Sequence, residues 1–224
     1  MSETVLLTNE VDESVSPTND AANGEEGAVA LISDPEPVLK HPLNSTWTLF
    51  YFINDKSGNF NWQESQAVVA SFNTVEDFWA LFNHIENASK LKIGFDYSLF
   101  KNGILPAWED SGNTGGGKWT LNTSRHQRFT DLDNYWLELI MMMVGENEEE
   151  YVNNVITGAV VSLRMKQDRV CLWCAPTKKP EAILKAGKAM KRCMGIPPNT
   201  TIDYTVHSNK STSRNSSLRS LYSL

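Results

Sequence analysis

A hairpin pattern occupies residues 155–175, which read VITGAVVSLRMKQDRVCLWCA. Two runs rich in β-branched and other apolar residues, 155–166 and 169–175, flank a polar turn around Gln167-Asp168. Alternation along a strand would give the first run an apolar face and a polar face, made of Val161, Leu163 and Met165 and of Ser162, Arg164 and Lys166. The pattern therefore predicts an antiparallel pair with one core-facing side and one basic side.

Further strands and three helices flank this hairpin. Strands are predicted over 47–53, 67–72, 118–121 and 201–207, where aromatic and β-branched residues cluster. Helices are marked by their ends: Thr74 as N-cap of a helix to about Ser89, Asp131 as N-cap of one that Gly145 ends, and Pro180 opening one that closes before Gly195. Three helices and at least six strands predict an α+β domain, with helices on one face of a mainly antiparallel sheet.

The charge of the chain is concentrated in its first segment. The formal net charge is −7, from 20 basic and 27 acidic residues, and residues 1–40 hold nine of the acidic and one of the basic ones. The remainder, with 19 basic and 18 acidic residues, is close to neutral and can carry a local basic patch. We predict a disordered acidic tail over 1–40, a folded domain over 41–207, and a flexible Ser/Arg-rich segment over 208–224.

The composition argues against a membrane location and against an oxidising compartment. The sequence has no run of about 18 apolar residues and no signal-peptide pattern, which argues against a membrane protein. Its three cysteines, Cys171, Cys174 and Cys193, are an odd and small number that is typical of a reducing compartment. We expect a cytoplasmic or nucleocytoplasmic protein.

Two short motifs resemble sites but lack the context that those sites need. The segment from Gly112 to Lys118 begins like a phosphate-binding P-loop, yet Trp119 follows where Ser or Thr is needed, and a strand follows where a helix is needed. Cys171 and Cys174 form a CxxC without a second pair of ligands, and residues three apart on a strand point to opposite faces. We predict a flexible glycine loop and buried thiols, with no cofactor, metal or catalytic set.

Aromatic and basic residues together form the stronger candidate site. Trp62 and Trp108 lie in polar, turn-rich segments, where tryptophan is not an obvious core residue. Taken singly, each tryptophan is better explained as a cap on the edge of the core, and Arg164 and Lys166 could form a solvated strand face. Arg169 across the turn, and Lys118 if its loop lies nearby, would add charge to the same region.

The sequence resembles the eukaryotic translation initiation factor 4E family over about residues 41–224. The resemblance rests on long motifs, namely His41-Pro42-Leu43, Thr74-Val75-Glu76-Asp77-Phe78-Trp79-Ala80-Leu81, Asp96-Tyr97-Ser98-Leu99-Phe100-Lys101, Trp108-Glu109-Asp110 and Asp131-Leu132-Asp133. It implies a curved antiparallel sheet of about eight strands, shaped like a cupped hand, with three long helices on the convex face. It also implies a protein that is not an enzyme and that binds the 7-methylguanosine cap of mRNA.

The resemblance assigns a role to each candidate residue. Trp62 and Trp108 would sandwich the methylated base, Glu109 would accept hydrogen bonds from the guanine edge, and Trp173 would touch the methyl group. The phosphates would face Arg164, Lys166, Arg169 and Lys118.

The resemblance also implies protein partners on the convex face. These are the scaffold initiation factor and the repressors that share its Tyr-x4-Leu-apolar motif, and they would dock on His41, Pro42, Val75, Trp79, Leu137, Glu138 and Met141. From spacing alone, Trp79 could equally be a core residue. A regulatory serine of some relatives falls on Ser216, with Ser211, Ser213 and Ser217 close by. Two alternatives to an initiation factor stay open: a cap-binding repressor that does not recruit the scaffold, and a nucleotide hydrolase using the glycine loop.

Overall fold

The computed structural model of the chain describes residues 39–53, 65–207 and 220–224. These residues form one antiparallel, curved sheet with the strand order β2-β1-β3-β5-β6-β4-β7-β8. Its strands are β1 Pro42–Phe52, β2 Gln66–Thr74, β3 Asp96–Lys101, β4 Gly117–Thr123, β5 Ile156–Ser162, β6 Asp168–Cys174, β7 Asp203–Val206 and β8 Tyr222–Ser223. The predicted α+β class and the eight-stranded antiparallel sheet are confirmed.

Three long helices cover one face of the sheet. They are α1 Val75–His84, α3 Leu132–Gly145 and α5 Pro180–Cys193, with short helices α2 Gln127–Thr130 and α4 Glu150–Asn153 and a 3-10 turn at Ala88–Lys90. Within the described ranges, no helix combines the length and apolar character that crossing a bilayer requires.

The alternation of side chains gives the sheet two different faces. On β6, Val170, Leu172 and Cys174 are buried in the large core beneath the helices. The residues between them, Cys171 and Trp173, belong to a smaller cluster with Phe50 and Phe100 on the opposite, concave face. One strand therefore builds the main core and the floor of the concave face together.

The start of α1 confirms the predicted cap. The Thr74 hydroxyl accepts a hydrogen bond from the Asp77 backbone N–H at 3.2 Å and donates one to the Asp77 carboxylate at 2.7 Å. This exchange satisfies an N–H that the helix leaves unpaired. The helix ends at His84 rather than near Ser89, because Ile85 is extended.

The predicted ends of α3 are confirmed, since Asp131 is the N-cap residue and the helix ends at Gly145, but the capping differs in detail. Asp131 precedes the helix but makes no side-chain capping hydrogen bond, and the left-handed residue at the end is Glu146 (φ 45°) rather than Gly145. Glu146 is held there from distant parts of the chain. Its carboxylate accepts a hydrogen bond from Ser45 at 2.5 Å and pairs with Lys101 at 3.3 Å.

The hairpin is shorter than its sequence pattern. Strand β5 ends at Ser162 rather than Lys166, because the Arg164 backbone N–H donates to the Asp168 carboxylate at 2.9 Å and begins the turn. Arg164 and Lys166 therefore lie in the turn and not on a strand face. Strand β3, which the strand patterns did not reveal, runs between β1 and β5.

The end of the chain differs from the predicted flexible segment over 208–224. Residues 222–223 form β8, which pairs with β7, and Leu224 and Ile202 exchange two backbone hydrogen bonds of 3.0 Å. The candidate serines around Ser216 lie outside the described residues. So do Trp62 and the acidic segment up to residue 38, and the predictions for them stay predictions.

Candidate nucleotide-binding site

A cavity of about 410 Å³ opens on the concave face of the sheet. This volume lies within the usual range of sites for small ligands. Six of the predicted site residues line it: Trp108, Glu109, Lys118, Arg164, Arg169 and Trp173. The structure therefore brings together aromatic, acidic and basic residues from the β3–β4 loop, β4, the β5–β6 turn and β6.

The loop that presents Trp108 and Glu109 is braced by its own polar side chains. Asn113 is fully buried and donates from its amide to the backbone oxygens of Leu105 and Ala107, both at 2.9 Å. The Thr114 hydroxyl lies 3.1 Å from the Glu109 backbone oxygen, to which it donates. These bonds fix the backbone while leaving the Trp108 side chain 38 % exposed at the cavity.

In the glycine run that resembles a P-loop, the absence of side chains allows a left-handed residue and close approach to the backbone of β6 and β7. Gly115 has φ 77°, a left-handed conformation that favours glycine. A Cβ on Gly116 would lie 2.1 Å from the backbone oxygen of Cys174, and one on Gly117 would lie 2.5 Å from that of Thr205. The run then enters β4 and not a helix, so it lacks the helix N-terminus that a P-loop uses to bind phosphate.

Trp173 forms the floor of the cavity and is held by neighbours on three sides. The Phe100 ring meets it edge-on at 5.4 Å between centroids, the His207 ring lies 4.2 Å away, and Lys118 Nζ sits 5.4 Å from its centroid. Burial lowers the pKa of His207 to about 4, and the charge of Lys118 acts in the same direction. His207 is therefore neutral beside the floor at pH 7.

Two arginines mark the far end of the cavity from Trp173. Arg164 makes a bidentate ion pair with Asp96, with N–O distances of 2.5 and 3.0 Å, and these bonds raise its pKa above the ordinary value. Arg169 is exposed on β6, four residues from Trp173, which corresponds to roughly 13 Å along a strand. Lys166 is exposed in the turn and does not line the cavity, so its phosphate contact stays a prediction.

A buried ion pair between α2 and the start of β6 stabilises the β5–β6 turn. Arg128, in α2, donates from Nε and Nη2 to the two oxygens of Asp168, both at 2.7 Å, and Asp168 is fully buried. The same Nη2 donates to the backbone oxygen of Arg164 at 2.8 Å. Asp168 and Arg128 thus fix the backbone that carries Arg164.

The predicted partner surface lies on α1 and α3. Val75 and Trp79, one turn apart on α1, are both exposed, and the His41 backbone oxygen accepts from the Val75 N–H at 2.9 Å. His41 also hydrogen-bonds Glu76 at 2.7 Å and lowers the pKa of that carboxyl group to about 2. Three predicted residues on α3 are partly buried: Leu137, Glu138 and Met141.

The two helices that carry this surface are neighbours. Phe78 and Phe82 of α1 and Trp136 and Ile140 of α3 line one small internal space, so both helices border the same apolar region over the sheet. Pro42 lies across from Thr74 at the start of β1. Trp79 is therefore not a core residue, and its exposed ring lies on the convex face.

The cysteine prediction is confirmed. Cys171 and Cys174 are both buried and free, and they belong to the concave and convex clusters respectively. Burial raises the pKa of the Cys174 thiol to about 12, so it is an unreactive core residue at pH 7.

The chain matches the family model described as Eukaryotic initiation factor 4E over residues 42–221. It belongs to the initiation factor 4E family.

Curated members of the 4E family match most of the chain. Eukaryotic translation initiation factor 4E-1A of Danio rerio is 40 % identical over 217 residues, covering 97 % of this chain and 99 % of that protein. Eukaryotic translation initiation factor 4E of Homo sapiens is 41 % identical over 191 residues, covering 85 % and 87 %.

Solved 4E structures share the fold. Ascaris suum eIF4E-3 in complex with an m2,2,7G cap has a TM-score of 0.76 at 40 % identity, covering 83 % of this chain and 99 % of its own. The complex of C. elegans eIF4E-3 with the 4E-binding protein Mextli and a cap analogue has a TM-score of 0.73 at 40 % identity, covering 83 % and 100 %.

Four residues that support the site of this 4E-family chain were not identified from the sequence. They are Asp96, Asn113, Arg128 and Asp168. Asp96 and Asn113 lie within or beside motifs that the family resemblance includes, but their contacts depend on which strands are neighbours. A basic residue such as Arg128 in a segment without apolar period gives no sign that it is buried. Its partner Asp168 was assigned only to a turn.

Proposed function

We propose that this chain binds the 7-methylguanosine cap of mRNA in the concave cavity and brings the capped mRNA to the translation machinery through a scaffold factor on α1 and α3. The observation that supports cap binding most directly is the content of the cavity. Trp108 and Glu109 lie at one part of its wall, and Arg164 and Arg169 lie at another. A ligand that joins a flat base to a phosphate chain needs aromatic and acidic residues for the base and basic residues for the phosphates.

The base-binding end suits a methylated guanine. Methylation at N7 gives the purine a delocalised positive charge, which an indole face attracts beyond ordinary stacking. The Glu109 carboxylate can accept two N–H bonds from the guanine edge, whereas adenine presents a different pattern. Trp62, which lies between β1 and β2 in the sequence, is the proposed second face of the stack, and Trp173 the proposed methyl contact.

The other end suits phosphates. Arg169 is exposed and lines this end of the cavity, so it can reach an anionic chain. Lys118 lines the wall beside Trp173 and is the proposed phosphate contact nearer the base. Contacts of this type depend on salt because phosphate binding releases counterions. The solved 4E relatives in complex with m7G and m2,2,7G caps support the same ligand class for this chain.

Replacing Glu109 with glutamine tests the proposed recognition of guanine. We expect affinity for m7GTP to fall by about fiftyfold or more, because hydrogen bonds to a charged group contribute about 1.5–3 kcal/mol each and the amide opposes one donor with another. The measurement is a titration of intrinsic tryptophan fluorescence with m7GTP and with GTP. Glu181→Gln, at an exposed acid on α5, is the matched control and should bind as the wild type does. Equal m7GTP affinity for Glu109→Gln and wild type would refute the assignment.

Scaffold recruitment distinguishes the initiation factor from the alternative, a cap-binding repressor. The exposed Trp79 and Val75 favour recruitment, because an apolar helix face next to α3 is a surface on which an amphipathic peptide can dock. Relatives bound to Mextli and to 4E-BP support peptide docking by this family.

We expect a scaffold-factor peptide with the Tyr-x4-Leu-apolar motif to bind the wild-type chain, and Trp79→Ala to weaken it by about thirtyfold, since a buried interface tryptophan typically contributes at least ~2 kcal/mol. Calorimetry with that peptide provides the measurement, and Lys188→Ala on α5 is the control. If m7GTP binds but the scaffold peptide does not, the repressor is the better assignment.

A further inference from the structure

A patch of exposed apolar and basic residues lies beside the proposed cap cavity and, apart from Lys166 as a predicted phosphate contact, has no role in the function above. Phe129 is 79 % exposed and Met165 is 71 % exposed, which is unusual for side chains of this size. Arg125, His126 and Lys166 are also exposed. We call these five residues the α2 patch.

The two halves of the α2 patch are held together by the buried arginine between them. Arg128 of α2 bonds both oxygens of Asp168 and the backbone oxygen of Arg164. Phe129 is the next residue after Arg128, and Met165 is the next residue after Arg164. The bonds therefore fix the helix of Phe129 against the turn of Met165, although the sequence separates them by 36 residues.

The α2 patch continues the polar row of the cavity. Along β4, Lys118, Thr120 and Asn122 lie opposite Trp173, Cys171 and Arg169 of β6. Directly paired residues of an antiparallel sheet point to the same face, so this double row runs from the floor at Trp173 to Arg169. Beyond Thr123 the chain leaves the sheet and reaches Arg125 and His126 within three residues.

The exposed charged side chains of the α2 patch itself are basic, and the nearest acid along the same segment is the partly buried Asp131. Residues 122–130 contain no acidic side chain, and the nearby Asp168 is buried and paired with Arg128. An exposed aromatic ring among cations is the combination with which proteins bind single-stranded nucleic acid, since each base can stack while the backbone meets the charges. A protein partner would more commonly meet a larger apolar core than one ring and one methionine.

We propose that the α2 patch binds the first nucleotides of the RNA that follow the cap, with a base stacked on Phe129 and phosphates near Arg125 and Lys166. The inference rests on the proposed cap-binding function, because the phosphate chain must leave the cavity past Arg169. In this arrangement the chain contacts RNA beyond the cap nucleotide through stacking and charge, without base-specific hydrogen bonds.

The test compares m7GTP, a capped hexaribonucleotide and the same uncapped hexaribonucleotide on the full chain, by fluorescence titration. The wild type should bind the capped hexanucleotide about fivefold to tenfold more tightly than m7GTP, as one stacked base and its backbone contacts provide. Phe129→Ala and Phe129→Leu should remove most of this advantage and leave m7GTP affinity unchanged, whereas Phe129→Tyr should retain it. Arg125→Ala should lower the salt dependence of capped-RNA binding by about 0.7 in the log–log slope, and Lys188→Ala should not.

Each other outcome overturns the inference in a recognisable way. Equal wild-type affinities for m7GTP and the capped hexanucleotide would mean that the α2 patch does not contact RNA and would direct attention to a protein partner. A loss of m7GTP binding in Phe129→Ala would assign Phe129 to the cavity itself. Failure of the wild type to bind m7GTP would refute the cap proposal, and the RNA inference with it.

Discussion

Trp108→Ala is expected to lower the affinity for m7GTP by at least about a hundredfold. Stacking of a base on an aromatic ring contributes about 1–3 kcal/mol, and a desolvated cation–π contact with the methylated purine adds about 2 kcal/mol. Trp108→Phe should give an intermediate loss, because phenylalanine keeps a stacking face but attracts a cation less well. Retention on an immobilised cap analogue, followed by fluorescence titration of the purified variants, provides the measurement.

The lower affinity of Trp108→Ala should result from lost contacts with the ligand and not from a less stable fold. Trp108 is 38 % exposed, and its loop is held by Asn113 and Thr114 rather than by the indole. Thermal unfolding of Trp108→Ala should therefore stay close to that of the wild type. If the alanine variant binds m7GTP with unchanged affinity, the proposed stack on this residue is wrong.

Arg128→Met is expected to destabilise the domain by about 3–5 kcal/mol, which is the usual consequence of leaving a buried charge without its partner. Here the remaining charge is Asp168, which is fully buried and also accepts the Arg164 backbone N–H. Arg128→Met should also weaken m7GTP binding under conditions where it is still folded, because the turn that carries Arg164 loses its anchor. Urea unfolding measures the first effect, and titration with m7GTP measures the second.

Arg192→Met provides the matched comparison. Arg192 pairs with Glu148, but its side chain is 66 % exposed, and exposed pairs typically contribute less than ~1 kcal/mol. The two arginine variants should therefore differ clearly in urea midpoint. Similar losses of stability in both would contradict a dominant role for the buried pair.

The parts of the fold that depend on local pattern could be predicted from sequence. Thr74 and Asp77 lie three residues apart, so their reciprocal capping is visible in the sequence itself. The alternation along β6 likewise separates Cys171 and Trp173 from Leu172 and predicts two faces. The long motifs of the 4E family then supplied the strand count and the candidate ligand residues, which no periodicity could give.

The parts that depend on distant contacts could not be predicted. Local pattern placed the end of α3 at Gly145, but the left-handed residue is Glu146, whose carboxylate accepts a hydrogen bond from Ser45, 101 residues earlier. The end of β5 is decided by the side chain of Asp168, so alternation extended through Lys166 was wrong. The burial of Arg128 depends on Asp168, 40 residues away, and nothing near Arg128 in the sequence indicates it.

The bidentate pair between Arg164 and Asp96 should shorten the time for which a phosphate ligand stays bound. An arginine already engaged with a carboxylate offers a phosphate only its remaining N–H groups and a partly neutralised charge. Arg164 would be well oriented for the phosphate chain and yet hold it more loosely than a free guanidinium would. Under the proposed function, this pairing would favour release of a capped RNA rather than its tightest retention.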